Sequence, residues 1–334
     1  MDILTKFWKS KSVLITGAGG FIGSHLADEL LKRGCKLTAL IHYNSRNSWG
    51  NLKKQEGLNY DKLKVVLGDI NDQFLMRSLT KDIDYVFHLA ALIGIPYSYN
   101  APNHYINTNI SGSAVLFQSC LENGVKKVIH TSTSEVYGTA KYIPIDEDHP
   151  LQAQSPYSAS KISADMTAMS YANSFDLPLA ILRPFNTYGP KQSARAIIPS
   201  VISQAINNKV IEIGDPTPLR DFNYVLDTVN GFICLAESNN INGEVYNLSS
   251  GKQISIMELV ELIRDKINKN IIIKSKKQRM RPPESEVMSL LGNSEKLKRD
   301  TNWLPKFSFD EGLEHTIKYI RENIDKYKTD RYVV

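Results

Sequence analysis

The sequence predicts an α/β protein with a doubly wound parallel sheet and a smaller C-terminal α/β lobe. Short apolar runs alternate with amphipathic segments as far as residue 183, which is typical of a parallel sheet covered by helices on both faces. A glycine-rich turn lies directly between the first strand and the first helix. Past Pro190 the alternation loosens. We therefore divide the chain into residues 10–190, which form the sheet domain, and residues 191–325, which form the lobe.

The elements follow in order from local pattern. Short runs rich in branched and aromatic residues predict sheet strands at 12–16, 37–41, 63–67, 85–89, 127–130 and 179–183. Amphipathic stretches between them predict helices at 21–32, 110–123 and 157–175. In the lobe we predict helices at 197–207, 225–238 and 256–268, a strand at 245–248 and a basic, proline-containing loop at 274–286.

Length and composition place the chain among globular proteins. Its 334 residues and 42% hydrophobic content suffice for one large core or two unequal domains. The formal net charge of +5 is a mild excess that does not indicate nucleic-acid binding. Three dispersed cysteines without a CxxC pair predict reduced thiols. The first residues lack a signal-peptide pattern and no apolar run reaches about 18 residues, so we expect a cytoplasmic protein that does not bind membranes.

The glycine turn predicts a dinucleotide site. Gly17, Gly20 and Gly23 have GxxGxxG spacing between a strand and a helix. Glycines let the backbone approach a pyrophosphate, while the helix N-terminus supplies N–H donors and the positive end of a dipole. In this context we predict that NAD or NADP is bound.

The choice between NAD and NADP depends on the end of the second strand. Enzymes that use NAD usually place an acid there to bind the ribose 2′-hydroxyl, but residues 40–46 contain none. His42 and Arg46 can face a 2′-phosphate, which favours NADP; alternatively they are solvated, and NAD binds through Asn44 or Ser45. Asp69 follows the third strand and either bonds the adenine amino group or caps the next helix.

A tyrosine and a lysine indicate redox chemistry. Tyr157 and Lys161 are four residues apart in a helical pattern and share one face. A nearby ammonium lowers the pKa of a tyrosine, so that its phenolate can take a proton from a substrate hydroxyl. Thr133, at the end of a Ser/Thr-rich strand, can hydrogen-bond the same hydroxyl. Such a centre beside a dinucleotide can oxidise a sugar alcohol by hydride transfer.

Glu135 extends this chemistry. It lies in Thr133-Ser134-Glu135, which follows an apolar strand and precedes Tyr157 by 22 residues. A carboxylate there can remove the proton that a new ketone has made acidic, and this points to elimination of water. The alternative is a structural carboxylate that bonds backbone N–H groups near the strand end.

These residues identify a family resemblance. From about Ser12 to Leu313 the chain resembles the extended short-chain dehydrogenase/reductases, the nucleotide-sugar epimerases and dehydratases. The segments that carry the resemblance are GAGGFIG (17–23), GDIN (68–71), HLAA (88–91), STSEVYG (132–138), YSASK (157–161) and RPFNTYGP (183–190). The resemblance implies a Rossmann-type domain, a homodimer formed through two helices, and further cofactor contacts at Phe21, Ile22, Ile70, Leu89, Ala90 and Ala91.

Within this family the position of Glu135 separates activities. Sugar 4-epimerases usually have small residues there, whereas 4,6-dehydratases have Asp-Glu or Ser-Glu. UDP-glucuronate decarboxylases share STSEVYG, but the Ser-Ala-Ser between Tyr157 and Lys161 is as in epimerases and dehydratases. The segments IHYNSRNSWG, STSEVYG and RPFNTYGPKQSARAIIP most resemble the 4,6-dehydratases of legionaminic acid biosynthesis, which act on nucleotide-activated N-acetylglucosamine.

The resemblance implies a redox-neutral mechanism. Tyr157, assisted by Lys161 and Thr133, removes the C4 hydroxyl proton while a hydride passes from C4 to the nicotinamide. Glu135 takes the proton from C5, the C6 hydroxyl leaves as water, and hydride returns to C6. Ser134 is too weak an acid to deliver a proton and is expected only to position the C6 hydroxyl, so that Glu135 acts first as base and then as acid.

The substrate diphosphate is expected to bind in the second half of the chain. Asn186 resembles the family asparagine that touches the diphosphate. Arg195, Arg220 and Arg281 lie in loop contexts, and arginine binds phosphate oxygens bidentately; surface salt bridges are the alternative. His88 and His104 lack partners at ligand spacing, so we predict no metal site.

Three functions remain open at this point. The leading hypothesis is a 4,6-dehydratase acting on GDP- or UDP-N-acetylglucosamine. A UDP-sugar 4-epimerase or a UDP-glucuronate decarboxylase is the second, and a non-catalytic dinucleotide-sensing protein is the third. The complete set of Thr133, Tyr157 and Lys161 argues against a sensor, which has no need of these residues.

Overall fold

A computed structural model describes residues 7–53, 57–280 and 282–327. The strands, numbered in chain order, are β1 Ser12–Thr16, β2 Lys36–His42, β3 Leu63–Gly68, β4 Tyr85–His88, β5 Lys127–Thr131, β6 Leu179–Pro184, β7 Asn186–Tyr188, β8 Val210–Ile213, β9 Leu219–Tyr224, β10 Glu244–Leu248, β11 Gln253–Ser255 and β12 Ile272–Ser275. The α-helices are α1 Phe21–Lys32, α2 Gln73–Leu79, α3 Ile95–Asn100, α4 Pro102–Tyr105, α5 Gly112–Glu122, α6 Pro156–Phe175, α7 Ile197–Asn207, α8 Val225–Glu237, α9 Ile256–Ile267, α10 Glu295–Thr301 and α11 Phe309–Glu322.

The large sheet confirms the predicted Rossmann-type architecture. Within the described residues it has seven strands in the order β10-β6-β5-β4-β1-β2-β3, and all of its pairings are parallel. β6 is buried at every residue, as expected for an apolar strand covered on both faces. The strand order reverses between β1 and β4, which is where open α/β sheets bind ligands beyond their carboxyl ends.

The C-terminal part of the chain contributes to both halves of the molecule. β10 pairs in parallel with β6 and so completes the large sheet. Side chains of α8 and β10, including Phe232 and Leu248, share a core with Ile15 of β1. Conversely, β7 pairs with β9 in a small sheet outside the large one. The chain therefore crosses the predicted division at residue 190 in both directions.

The lobe has a core of its own. β9 lies between β11 and β7, and β8 pairs with β12. Side chains of α7, α9 and α11, such as Val201, Leu259 and Leu313, pack together in this core. The predicted loop at 274–286 is wrong at its start, because β12 extends to Ser275 through its pairing with β8. The remainder contains two short 3₁₀ turns.

A second difference concerns the predicted helix at 110–123. The chain forms a π-helix, Ile106–Ser111, before α5 begins at Gly112. A π-helical stretch of six residues is too short to show an apolar period of its own, so the sequence did not distinguish it from an α-helix. Among the described residues, no helix is long and apolar enough to span a membrane.

Candidate active site

The glycine turn joins β1 to α1 by close backbone contact. Gly17 has φ +72°, a left-handed conformation that favours glycine. A Cβ added at Gly23 would lie 2.3 Å from the Gly17 carbonyl oxygen, and one at Gly17 would lie 2.8 Å from the Ala90 nitrogen. Side chains at these positions would push the helix and the 89–91 segment away from the strand. The glycines therefore bring three backbone segments together at the end of β1.

The first turn of α1 fits a dinucleotide pyrophosphate. Gly20 is the N-cap, and among the described residues no side chain caps this helix. The first N–H groups, including those of Phe21 and Ile22, are thus left for an anion, which the helix dipole also favours. The glycine cradle and these donors are what NAD or NADP requires, so the residues present fit the cofactor.

Residues 89–91 line the same turn. Leu89 N–H donates to the Thr16 carbonyl at 3.2 Å, and Ala90 N–H donates to Thr16 Oγ1 at 3.1 Å. Ala91 follows them and is half-buried. The other predicted contact, Ile70, is 4% exposed and lies against Gly112. The structure therefore places four of the predicted cofactor residues at one end of the large sheet, namely Ile70, Leu89, Ala90 and Ala91.

At the end of β2, where the ribose is expected to bind, the structure shows contacts that the sequence did not indicate. His42 Nε2 lies 3.7 Å from Asp69 Oδ2. The Asn44 side chain accepts from Ser48 N–H and donates to the carbonyls of His42 and Ser48, so it is used within its own loop. Arg46 is exposed.

Asp69 does not cap a helix. The N-cap of α2 is Asp72, which accepts from the backbone of Phe74 and Leu75; the capping alternative for Asp69 is therefore wrong. The Asp69 carboxylate accepts from Asn71, and the backbone N–H of that residue lowers the pKa of Asp69. Its ionised oxygens lie at the strand end, where the adenosine half of a dinucleotide would be bound.

Tyr157 and Lys161 occupy the first turns of α6. Pro156 at the first helical position and the reciprocal Ser155–Ser158 capping box fix where this helix begins. Tyr157 is 7% exposed and Lys161 is 4% exposed. The Lys161 ammonium donates to the Thr131 carbonyl at 2.6 Å, and the Thr133 side chain is close enough to Tyr157 to act on the pKa of that phenol. The predicted triad is thus assembled by the helix and the end of β5.

The pKa values differ from the sequence-based expectation. Burial raises the pKa of Tyr157, and the nearby Thr133 hydroxyl, which favours the phenolate, only partly offsets it. Burial also lowers the pKa of Lys161 to about 8. The expectation that Lys161 lowers the pKa of Tyr157 is wrong for this structure, because desolvation dominates and the ammonium is bonded to Thr131. The neutral phenol is therefore favoured in the described structure.

Glu135 lies beside this pair in the turn that follows β5. Thr133 caps the 3₁₀ helix Ser134–Tyr137 by accepting from Glu135 N–H at 3.2 Å. The Glu135 carboxylate is half-buried and close enough to Tyr157 to raise the pKa of that phenol. Among the described residues, none donates a hydrogen bond to the Glu135 carboxylate. Ser134 is 2% exposed.

The predicted substrate contacts fall into different settings. Asn186 begins β7, and its buried Oδ1 has no hydrogen-bond partner among the described residues. Arg195 is exposed, and its Nη1 lies 3.8 Å from a Cβ position built on Gly94. Arg220 is 6% exposed and pairs with Glu286 at 2.7 Å. Arg281 lies outside the described residues.

Sequence reasoning missed two residues that lie next to Tyr157 and Lys161. Tyr105 packs edge-on against Tyr157, with ring centroids 6.2 Å apart. Burial raises the pKa of Tyr105, and the positive charge of Arg195 acts in the opposite direction. Nothing in the local sequence indicated this contact. Asp165 is fully buried one turn after Lys161, and its spacing of four residues from Lys161 was an available signal.

The histidines are explained by local bonds. His88 is buried between Thr16 Oγ1 at 2.8 Å and Ser113 Oγ at 2.9 Å. His104 lies 3.3 Å from the Tyr97 hydroxyl. No group of three metal-ligating side chains occurs in the part of the chain that the structure describes.

Comparison with known proteins gives a consistent result. A family model described as GDP-mannose 4,6 dehydratase matches residues 14–316. A dTDP-D-glucose 4,6-dehydratase of Homo sapiens is 31% identical over 327 residues, which cover 96% of this chain and 92% of the human protein.

Two solved structures show the same similarity in three dimensions. The crystal structure of DesIV, a dTDP-glucose 4,6-dehydratase from Streptomyces venezuelae with NAD bound, has a TM-score of 0.86 and 26% identity, and covers 95% of this chain and 99% of its own. A UDP-N-acetylglucosamine 4-epimerase from Methanobrevibacter ruminantium M1 has a TM-score of 0.85 and 34% identity, with 94% and 99% coverage.

Proposed function

The chain belongs to the GDP-mannose 4,6-dehydratase family of nicotinamide-dependent nucleotide-sugar enzymes, and from this premise we propose that it is a 4,6-dehydratase. The proposed substrate is GDP- or UDP-N-acetylglucosamine, and the product is the 4-keto-6-deoxy sugar. The observation that carries this proposal is the Glu135 carboxylate, which adjoins Tyr157 and is engaged by none of the described residues. A carboxylate held in that place is suited to remove a proton from the carbon next to a transient ketone.

In the proposed reaction, different residues of the chain act at C4 of the sugar and at C5 and C6. When bound at the glycine turn, NAD or NADP supplies the acceptor and later the donor of the hydride. Tyr157, beside Thr133, takes the C4 hydroxyl proton. Glu135 then takes the C5 proton and gives it to the C6 hydroxyl, which leaves as water, while buried Ser134 orients that hydroxyl. When the hydride returns to C6, C5 takes up one proton, which balances the proton released from the C4 hydroxyl. The C4 ketone is what makes the C5 proton acidic, so the two proton transfers occur in sequence.

Of the two nicotinamide dinucleotides, NAD and NADP, we propose that this chain binds NAD. The sequence favoured NADP on account of His42 and Arg46. The Asp69 carboxylate, however, lies 3.7 Å from His42, and a 2′-phosphate placed there would be repelled by it. The structural relative DesIV was crystallised with NAD, which supports the same choice.

For the substrate diphosphate we propose Asn186 and Arg195 as the principal ligands. Asn186 begins β7, and its amide Nδ2 is a donor that suits a phosphate oxygen. Arg195 reaches from the lobe to Gly94 and Tyr105, beside Tyr157. A diphosphate between lobe and sheet would be gripped by a charge-assisted hydrogen bond there.

The second candidate is a UDP-N-acetylglucosamine 4-epimerase. The relative from Methanobrevibacter ruminantium carries that activity in its title, and Thr133, Tyr157 and Lys161 suffice for C4 oxidation. An epimerase, however, needs no base at C5 and therefore gives no role to Glu135.

The test is the Glu135→Gln variant, assayed with GDP- and UDP-N-acetylglucosamine. We expect the wild-type protein to release one water per sugar, as seen by mass spectrometry. The variant should bind cofactor and substrate and accumulate reduced nicotinamide, with dehydration slower by about 10²–10⁴-fold. Glu122→Gln, which alters a surface carboxylate paired with Arg77, is the matched control and should dehydrate normally.

Each other outcome selects another function. Unchanged mass with a new epimer shows an epimerase, and loss of carbon dioxide from a glucuronate substrate shows a decarboxylase. Cofactor binding without any product shows a sensor. A Glu135→Gln variant that dehydrates at the wild-type rate would exclude the proposed role of Glu135.

A further inference from the structure

A buried carboxylate lies directly behind the catalytic residues. Asp165 is fully buried in α6, one turn beyond Lys161. Neither the proposed proton transfers nor the binding of cofactor and substrate uses it. An ionised side chain in such a place needs strong compensation, so its contacts indicate what it does.

Asp165 is held by two strands of the sheet. From β6, Arg183 donates to Asp165 Oδ2 through Nε at 3.0 Å, and its Nη2 lies 3.0 Å from the same oxygen. From the end of β5, the Ser132 hydroxyl donates to Oδ2 at 2.8 Å, and His130 Nε2 lies 3.4 Å from Oδ1. Burial opposes ionisation of Asp165, but His130, Arg183 and Lys161 together hold its pKa below the ordinary value.

Charge compensation of Asp165 is provided by Arg183, with His130 and Lys161 contributing. One guanidinium neutralises one carboxylate, and Arg183 also donates to the Tyr137 hydroxyl at 2.9 Å. The Ser132 hydrogen bond adds no charge to this balance. It joins Asp165 to the residue immediately before Thr133, and therefore has a geometric consequence that charge compensation does not explain.

Two neighbouring bonds tie the end of β5 to α6. Lys161 donates to the Thr131 carbonyl at 2.6 Å, and Ser132 donates to Asp165 at 2.8 Å. Thr133 and Glu135 follow on the strand side, and Tyr157 precedes on the helix side. The separation between these two catalytic segments is thus set by contacts at consecutive residues, 131 and 132.

We propose that Ser132 and Asp165 form a positioning pair, which holds the segment bearing Thr133 and Glu135 at its working distance from Tyr157. The roles of Thr133, Glu135 and Tyr157 in this inference rest on the proposed function. Positioning of this kind has large effects, because a displacement of about 1 Å in a reacting geometry can cost roughly 10²-fold in rate. Asp165 is the fixed point, and its hydrogen bond with Ser132 holds the segment that bears Thr133 and Glu135 in position relative to it.

The test is made at Ser132, because removal of Asp165 would leave Arg183 buried without its counter-charge. Ser132→Ala removes only the hydroxyl. Ser132→Thr restores it and is the rescue variant. The matched control is Ser163→Ala on the same helix, whose hydroxyl bonds only the Ala159 carbonyl in the described structure.

The measurement is the single-turnover rate of nicotinamide reduction after mixing with nucleotide sugar, normalised to bound cofactor. We expect Ser132→Ala to slow this step by about ten- to hundredfold, with KM and cofactor affinity within about twofold of the wild type. Ser132→Thr should recover most of the rate, and Ser163→Ala should match the wild type. Hydrogen exchange should also accelerate at the Glu135 amide, which now bonds Thr133 Oγ1.

The two proposals fail separately. C4 oxidation is common to dehydratases, epimerases and decarboxylases, so the ratio of variant to wild-type rates does not depend on whether water is eliminated. A wild-type rate and unchanged amide exchange in Ser132→Ala would overturn the positioning pair. A rise in KM together with a fall in kcat that Thr does not rescue would also overturn it, because a general loss of structure predicts that pattern.

Discussion

The catalytic end of the sheet and the substrate lobe hold their polar side chains in opposite ways. At the sheet, Tyr157 and Lys161 are almost fully buried, Lys161 donates to the Thr131 carbonyl, and Thr133 lies beside Tyr157. In the lobe, Arg195 is exposed, and Arg220 is already paired with Glu286. We therefore expect the residues proposed for C4 oxidation to be preorganised before substrate arrives, whereas the proposed diphosphate contacts are completed by it.

Because of this difference, we expect substitutions in the two regions to have different kinetic effects. A preorganised group acts on the transition state, so its loss lowers kcat. A group recruited by the substrate contributes binding in the ground state and the transition state alike, so its loss raises KM. Variants in the two regions should accordingly change different kinetic constants, and those that do not would contradict the comparison.

The largest effect is expected at Tyr157. Tyr157→Phe removes the phenol that we propose as acceptor of the C4 proton and should lower the rate of nicotinamide reduction by about 10²–10⁴-fold, with KM little changed. Stopped-flow absorbance of the reduced nicotinamide measures it. Tyr171→Phe, on the same helix and bonded to Gln118, is the control. A large rise in KM for Tyr157→Phe would show that the tyrosine mainly binds substrate.

An intermediate effect is expected at Arg195. A hydrogen bond to a charged group contributes about 1.5–3 kcal/mol, so Arg195→Ala should raise KM by roughly ten- to hundredfold while kcat stays within severalfold. Steady-state kinetics with the nucleotide sugar provide the measurement. The control is Arg264→Ala, because Arg264 pairs only with its neighbour Asp265 in the described structure. Should kcat fall instead, Arg195 belongs to the preorganised region.

The smallest effect is expected at Glu286. Glu286→Gln removes the carboxylate that holds Arg220 at 2.7 Å, so it should lower the free energy of unfolding by about 1–3 kcal/mol. If Arg220 turns to the diphosphate when released, UDP or GDP should bind more tightly by less than about tenfold. Thermal melts and calorimetric titration separate these effects. Glu284→Gln, exposed two residues away, is the control; unchanged nucleotide affinity would restrict Arg220 to a structural role.

Local rules predicted the elements that local contacts form. The bounds of β1 and α1 match the predicted 12–16 and 21–32, because an apolar run, a glycine turn and an amphipathic stretch fix them within about twenty residues. Tyr157 and Lys161 could likewise be placed on one face of a helix from their spacing. Thr133 joined them because carboxyl ends of neighbouring parallel strands meet at one edge of the sheet.

Long-range pairings could not be predicted in this way. Residues 245–248 were predicted to form a strand, but nothing local states that β10 joins β6. Arg220 and Glu286 are 66 residues apart, and burial of their pair depends on the folded lobe. The desolvation that raises the pKa of Tyr157 is also a property of the assembled core. Asp165 was available from its spacing but had no role until its strand contacts were known.

The return of β10 to the large sheet limits how this enzyme can be recombined with its relatives. A graft that exchanges everything after residue 190 would pair the β10 and α8 of a relative with β6 and Ile15 of this chain, and side chains that are not matched in shape would pack poorly in the shared core. Exchanges of specificity should instead retain 225–248 with the parent and transplant the flanking segments as two separate inserts. Homologous chimeras built this way keep the hydride-transfer scaffold continuous while the sugar-recognition surface is replaced.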